Sequence, residues 1–506
     1  MKQVMKRVMK RVMERVMERV MKRVMERVMK HVMKQVMKHV MEHVMEQFKV
    51  THVSSSSALT EPDLQFAQTE ARLSAEAPLQ NQDLMDPSWR SADCWKPPSD
   101  SQSSIASFSQ CSGPHHFLSK TSDAVDYFLL MFPPALLDLI TFETNAHIKT
   151  CHFLGCGLPD WVPVTTLEIK GFLGLVVLMG LQNLPDPAQF WSWSHYDNSY
   201  AFCRAMSFRR FQQISSSIRM GSFTTDRYRG TRTTKDALHI FRPMLDLLGG
   251  AMWTRTGPTA ACRWTGPCCP AWGGQPRQGG PEDPAPGVLL CDSKSGFCHR
   301  LFIQVGAQGG PEPGGPEPGG PEPGFTVVPE LVKGLEGRHH QLFLSSSLAS
   351  VPLLQKLLDQ GLYASCSFPP PSPILPPALW AQGLLERPGD FLQRQLGPVL
   401  ATRWRDTKEM CCLSTNAAPG QQDLVFRRSQ TRGGELEPIT RPGAFRLLQE
   451  NLRGVDICKQ LLACNPLGGV PQDRHWRGLL WFLVNLSIVN AFLLLRESAG
   501  TAPPPG

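Results

Sequence analysis

The sequence contains no CxxC pair, no HExxH word, no glycine-rich phosphate loop and no Ser-His-Asp order. Each of those chemistries needs its ligands or donors at a fixed spacing. Their absence therefore removes zinc modules, zincin proteolysis, P-loop nucleotide binding and triad hydrolysis from consideration. No secretory signal peptide is recognisable, and the cysteine pairs at 268–269 and 411–412 form no disulfide framework. Fifteen cysteines then read as free thiols in a reduced, intracellular compartment. Cys291, Cys298 and His299 are close enough in sequence to be weighed as metal ligands, but no CxxC pair supports them, and the expectation is no metal.

Evenly spread charge is lacking too. The net charge is +8, yet residues 1–50 carry eight Lys, six Arg and five Glu, a net of +9, which leaves −1 for everything after Val50. A basic tail on a near-neutral body points less strongly to nucleic acid than a basic domain would. The 44 prolines and 42 glycines cluster, so unstructured segments are expected beside folded ones, and 506 residues suggest about two to four domains.

Residues 1–48 repeat the units VMKR, VMER and VMKH. Four residues turn an α-helix by about 400°, so the Val-Met pair drifts about 40° per repeat and builds no fixed face. A long solitary helix, frayed or disordered in places, is expected, with a basic arm for non-specific nucleic-acid affinity as its functional alternative. Residues 51–119 are Ser-, Gln-, Asp- and Pro-rich with scattered Trp89 and Trp95, and read as a disordered linker.

Strong helix signals begin at Ser122. Ser122 or Asp123 can cap a first helix, and Pro133-Pro134 ends it and starts the next. Thr165 and Glu168 have capping-box spacing, and Ile169, Phe172, Leu173, Val176 and Val177 follow as one apolar stripe. Ser207 caps a further helix with Phe208, Phe211, Ile214 and Ile218 on one side and Arg209, Arg210 and Gln212 on the other. From Gly249 the periodicity collapses into breakers. VLLCDSKSGFCHRLFIQV then reads as two strands around a SKSG turn, HHQLFL as a buried strand, VPLLQKLLDQGL as a helix and FPPPSPILPP as extended chain. GGPEPGGPEPGGPEPG is a flexible insertion. LLWFLVNLSIVNAFLLL at 479–495 is just under a comfortable bilayer span and would put Asn485, Ser487 and Asn490 in lipid, so a buried helix packed on a sheet is preferred.

The order of these words resembles the piggyBac-type transposases, DNA cut-and-paste enzymes. DYFLLMFPPALLDLITFETN is followed by WVPVTTLEIKGFLGLVVLMGL, MSFRRFQQISSSIRM, LLCDSKSG, TRWRDTKEMCCLST, GVDICKQ and HWRGLLWFLVNLSIVNAFLLL, over about residues 120–497. The resemblance implies an α/β chain: a helical N-terminal domain, then an RNase H-like mixed sheet carrying an insertion domain. The expected divisions are 1–50, 51–119, 120–243, 244–372, 373–441 for the insertion, 442–497 and a tail, 498–506. It also implies a cysteine-rich zinc module after the catalytic domain, which the expectation here leaves out.

The same resemblance implies acidic residues holding two Mg²⁺ ions for phosphodiester chemistry, since hard ions need several oxygen ligands. The window for the first acid, TAACRWTGPCCPAW, has none. Ser345 and Ser346 stand where the second acid and its neighbour belong. Asp456 in GVDICKQ is the one surviving candidate, and Lys459 occupies the last acidic position. Glu282, Asp283 and Asp292 read as loop or turn residues. Arg403, Arg405 and Lys408, with Arg227 and Arg229 in RYRGTR, are the candidates for phosphate contact. The expectation is a transposase-derived protein that is not an active enzyme, with no bound cofactor, residual DNA binding and a nuclear location. A homodimer is carried as a possible assembly and no membrane contact is expected; a protein-interaction module is the alternative function.

Overall fold

The computed structural model describes residues 91–98, 105–108, 112–119, 122–192, 200–221, 238–265, 287–303, 323–380, 385–428, 435–468 and 475–498, apart from a few positions inside these ranges. The N-terminal repeat, the RYRGTR run, Glu282, Asp283, the GGPEPG insertion and the C-terminal tail lie outside the described residues.

The helical block forms where its caps place it. Asp123 N–H donates to Asp126 Oδ2 at 3.0 Å at the start of α1 (Ala124–Met131), and Pro134 opens α2 (Pro134–Phe153) where its missing N–H costs nothing. Thr165 N–H donates to Glu168 Oε2 at 3.1 Å while Glu168 N–H donates to Thr165 Oγ at 3.2 Å, the reciprocal box that starts α3 (Thr166–Gln182). After α4 (Tyr200–Ala205), Ser207 Oγ accepts the Arg210 N–H at 3.3 Å and begins α5 (Phe208–Ser217).

Two features of this block differ from the sequence reading. α3 buries Leu175 and Leu178 besides Ile169, Phe172, Leu173 and Val176 of its expected stripe, whereas Val177 is only partly buried. Beyond its first turns the helix is apolar on more than one face and enclosed, and Phe172 meets both Phe211, 5.0 Å between ring centroids, and Trp481, at 6.1 Å. The pattern also does not collapse at Gly249: α6 runs Arg242–Arg255 through the Gly249-Gly250 pair. Met244, Leu248, Ala251 and Met252 all face the core, and their burial outweighs the about 1 kcal/mol that each glycine costs.

The strands follow. β1 (Gly113–Pro114) pairs with β2 (Thr256–Gly257). Among the described residues the main sheet has eight strands in the order β5-β4-β3-β6-β7-β10-β9-β8, made from β3 (Ala261–Thr265), β4 (Gly287–Asp292), β5 (Cys298–Ile303), β6 (Gln341–Leu344), β7 (Tyr363–Phe368), β8 (Phe391–Leu396), β9 (Val399–Arg405) and β10 (Glu409–Ser414). β3, β6 and β7 are mutually parallel and every other pairing is antiparallel. β11 (Gln422–Arg428) and β12 (Leu436–Pro442) form a separate hairpin. α7 (Pro323–Val332) precedes β6, and α8 (Val351–Asp359) crosses from β6 to β7, as a parallel pair requires. The segment expected as an insertion domain thus splits: β8, β9 and β10 extend the main sheet through the β7–β10 ladder, and only β11–β12 stands apart.

Three helices close the chain: α9 (Gly443–Asn451), α10 (Gly454–Cys464) and α11 (His475–Ser498). α11 has the length and hydropathy to cross a bilayer, but 89% of that window is buried inside the protein. It packs mainly on α1 rather than on the sheet, so one core joins Phe132, Ile140, Phe172 and Met244 to Leu289, Val455 and Leu483.

The linker reading is corrected at its C-terminal end. Trp95 is 3% exposed, and Lys96 and Gln395 exchange backbone hydrogen bonds of 3.0 and 2.8 Å that cover the β8 edge. Polar composition hid this segment because one aromatic anchor and two edge bonds are enough to dock it.

Candidate functional site

β3 and β6 lie side by side with Arg263 opposite Phe343, so their C-terminal ends open at the same level of the sheet. β3 reads ACRWT, with no acid. β6 runs into Ser345, which is 7% exposed and whose Oγ lies 3.2 Å from Ser347 Oγ. Ser350 then occupies the N-cap position of α8, its hydroxyl buried and without a hydrogen-bond partner. The end of β6 thus presents hydroxyls, neutral groups that bind a hard divalent ion weakly.

Asp456 sits in the first turn of α10, half-buried, with Lys459 one turn further on. Two glycines set the position of this helix. A Cβ on Gly454 would lie 2.2 Å from the Asp292 carbonyl oxygen, and one on Gly296, at φ +79°, would lie 2.8 Å from Ile457 Cγ2. The glycine of GVD is therefore required for the close approach of α10 to the β4–β5 turn. Among the described residues, no three His, Cys, Asp or Glu side chains are grouped to hold a metal ion.

The sequence assigned Asp292 to a turn, and the structure shows how it builds one. It is 3% exposed, and its Oδ1 accepts from Lys294 N–H at 2.9 Å, Ser295 N–H at 2.8 Å and Ser295 O–H at 3.0 Å. The Asp-Ser-Lys-Ser-Gly order is the legible signal for such an Asx turn. Beside it His299 is fully buried, with both ring nitrogens lacking a hydrogen-bond partner. Burial pushes its pKa down to about 4, with Asp292 opposing and His340 and Arg300 reinforcing the shift. Nothing in the sequence distinguished this histidine from a weak metal candidate; a bulge between Leu290 and Cys291 in the β4–β5 register marks its place.

The basic candidates separate. Arg403 is 2% exposed, donates to the Leu379 carbonyl at 3.0 Å, pairs with Glu409 at 2.9 Å and lies 4.5 Å over the Trp380 ring. This corrects its reading as a phosphate contact, because its guanidinium is enclosed. Arg405 is half-buried and donates to the Leu385 carbonyl at 2.6 Å, whereas Lys408 is exposed in the β9–β10 turn. Arg227 and Arg229 lie outside the described residues. In the helical block Arg210 pairs with Glu168 at 3.0 Å and stacks over Trp161 at 5.0 Å, leaving Arg209 outward beside Asp160. Arg209, Gln212, Gln213 and Ser216 line a shallow depression there with Leu158 and Asp160.

Large apolar side chains also reach solvent. Phe142, Phe153, Leu154 and Val162 do so on and after α2, and Leu424, Phe426 and Leu436 on the β11–β12 hairpin.

Comparison with known proteins gives one consistent answer. The family model described as Transposase IS4 matches residues 123–253 and 287–492. The stretch between these ranges is the one that holds β3. Human PiggyBac transposable element-derived protein 5 is 22% identical over 425 residues, covering 77% of this chain and 74% of that protein. A solved piggyBac transposase, in a synaptic complex with hairpin DNA, superposes with a TM-score of 0.59 at 18% identity over 78% of each chain. Matched over more than half its length in the order of its own helices and strands, the chain belongs to the piggyBac-type Transposase IS4 family.

Proposed function

We propose that this protein is a transposase-derived DNA-binding protein that no longer cleaves strands. The observation that carries the reading is the pair of adjacent parallel strand ends: β3 reads ACRWT and β6 leads into Ser345 and Ser346, so neither supplies a carboxylate. The strand order β5-β4-β3-β6-β7, with two antiparallel and then two parallel steps, supports an RNase H-like domain formed from residues 244–372 and 442–497. In such a domain two metal ions must stabilise the attacking and leaving oxygens together. Serine hydroxyls, a lone Asp456 and the positive Lys459 do not make a donor set for Mg²⁺, so no cleavage step is assigned to these residues. Asp456 is read instead as an N-terminal helix residue, favourable to the helix dipole.

DNA binding would rest on Lys408, Arg405 and the RYRGTR run with Arg227 and Arg229, together with the basic N-terminal repeat. The relative solved in complex with hairpin DNA supports that partner class, and a nuclear location follows from it. The test is a salt titration of duplex binding by the full chain and by a chain lacking residues 1–50, alongside a Mg²⁺-dependent cleavage assay on transposon-end DNA. Binding of the truncated chain that falls linearly in log–log with salt supports the reading. Strand cleavage would overturn it.

A second reading is a protein-interaction module or self-associating dimer, favoured by the exposed Phe142, Phe153, Leu154 and Val162 of the helical block. Such an interface is far less salt-sensitive. Salt-resistant self-association, without DNA affinity in the truncated chain, would select it.

A further inference from the structure

Three buried thiols lie where α10 packs on the β4–β5 hairpin. Cys291 on β4 and Cys298 on β5 are direct cross-strand partners, and Cys458 lies on α10, which packs on β4. All three are 0% exposed, and Cys458 lies one helical turn after Gly454, which abuts Asp292, the chain neighbour of Cys291. The close approach that brings them together is fixed independently by Gly454 against Asp292 and Gly296 against Ile457, one residue before Cys458.

We infer that Cys291 and Cys458 are the site of a reversible disulfide that staples α10 to the sheet under oxidising conditions. Geometry selects this pair over Cys291 and Cys298. Directly opposed residues on antiparallel strands hold their Cβ atoms about 4.5–5.5 Å apart. A disulfide needs about 3.8 Å, so the cross-strand bond must pinch the sheet. Cys458 is on a helix outside the β4–β5 ladder, so a bond from Cys291 to it leaves the spacing of the two strands unchanged. Burial pushes the Cys291 thiol well above its ordinary value, with the neighbouring thiols reinforcing it, so the contact stays protonated and silent in a reducing compartment.

The oxidant is a low-molecular-weight disulfide of the glutathione class. As α10 lifts from β4, the Cys291 thiol loses its proton and attacks one sulfur of that disulfide, forming a mixed disulfide and releasing one thiol. Cys458 then attacks the Cys291 sulfur, expelling the second thiol. The protein loses two electrons and two protons, and the oxidant gains both. The staple fixes the helix that carries Asp456 and Lys459, so its redox state sets how freely that helix can move.

The full reduced chain would be equilibrated in glutathione buffers of increasing oxidised fraction, quenched with an alkylating reagent, and mapped by mass spectrometry without reduction. Exposed Cys156, Cys203 and Cys464 report that the oxidant is active. The expected result is a Cys291–Cys458 crosslinked peptide with a raised thermal midpoint. The crosslink is lost in Cys458→Ser and kept in Cys298→Ser. A Cys291–Cys298 bond in the folded wild type would overturn the inference. So would Cys291 and Cys458 both remaining alkylatable after denaturation of the most oxidised sample. Should Cys458→Ser fail to fold, the wild-type and Cys298→Ser maps still decide it.

Discussion

Asn490 and Cys298 are 192 positions apart, yet they complete each other's hydrogen bonds. The Cys298 N–H donates to Asn490 Oδ1 at 3.0 Å and the Asn490 amide donates to the Cys298 carbonyl at 2.8 Å. α11 therefore acts as the neighbour of β5 at this bulge, satisfying a strand position that the ladder leaves open. This is why an asparagine sits 0% exposed in the most apolar helix of the chain. Asn490→Leu strands both backbone groups, at about 1–3 kcal/mol each. A loss of about 3 kcal/mol in urea unfolding is expected, with an unchanged m-value.

Arg403 tests the separation of structure from binding. Arg403→Ala leaves Glu409 in a largely buried site without its partner and is expected to cost about 3–5 kcal/mol. Lys408→Ala, at an exposed turn, should leave stability within about 0.5 kcal/mol. If Lys408 meets phosphate, its loss reduces the slope of log affinity against log salt by about 1. Calorimetry of both variants and the salt titration of the second check these outcomes.

His299 makes acid stability a measurable property. Its folded pKa is about 4, lowered first by burial, against an ordinary value of 6.5. Between these values the unfolded chain binds the extra proton, so stability is complete above pH 6.5 and declines as pH falls toward 4. The loss by pH 4 is about 3 kcal/mol. His299→Phe removes the titrating group, and its stability should be flatter with pH than the wild type over that window.

Trp95 measures how firmly the segment before the helical block is held. Trp95→Ala should cost about 3 kcal/mol, since a buried tryptophan is lost with only partial collapse of the site. Truncation to residue 91 keeps Trp95 and should leave the thermal midpoint close to that of the full chain; truncation to residue 105 should lower it.

Ser345→Asp places one carboxylate at the end of β6. No Mg²⁺-dependent cleavage is expected from it, because β3 still reads ACRWT and Lys459 still carries its charge. Cleavage by this single variant would show that the remaining ligands lie elsewhere in the chain.

Some of this molecule was written locally. The caps at Asp123, Thr165 with Glu168 and Ser207, the Pro134 start and the Asp292–Gly296 turn each depend on residues within one helical turn of one another, so the sequence determined them alone. The order of words carried the family for the same reason: each word is a local element. What lacked a local signal was decided by tertiary packing. Burial of Met244, Leu248, Ala251 and Met252 carried α6 through two glycines. A β7–β10 ladder joined the inserted strands to the main sheet. Enclosure by Trp380, Leu379 and Glu409 turned Arg403 from a surface charge into a core residue. Burial and pairing depend on groups tens to hundreds of residues away, and only the folded chain brings those groups within reach.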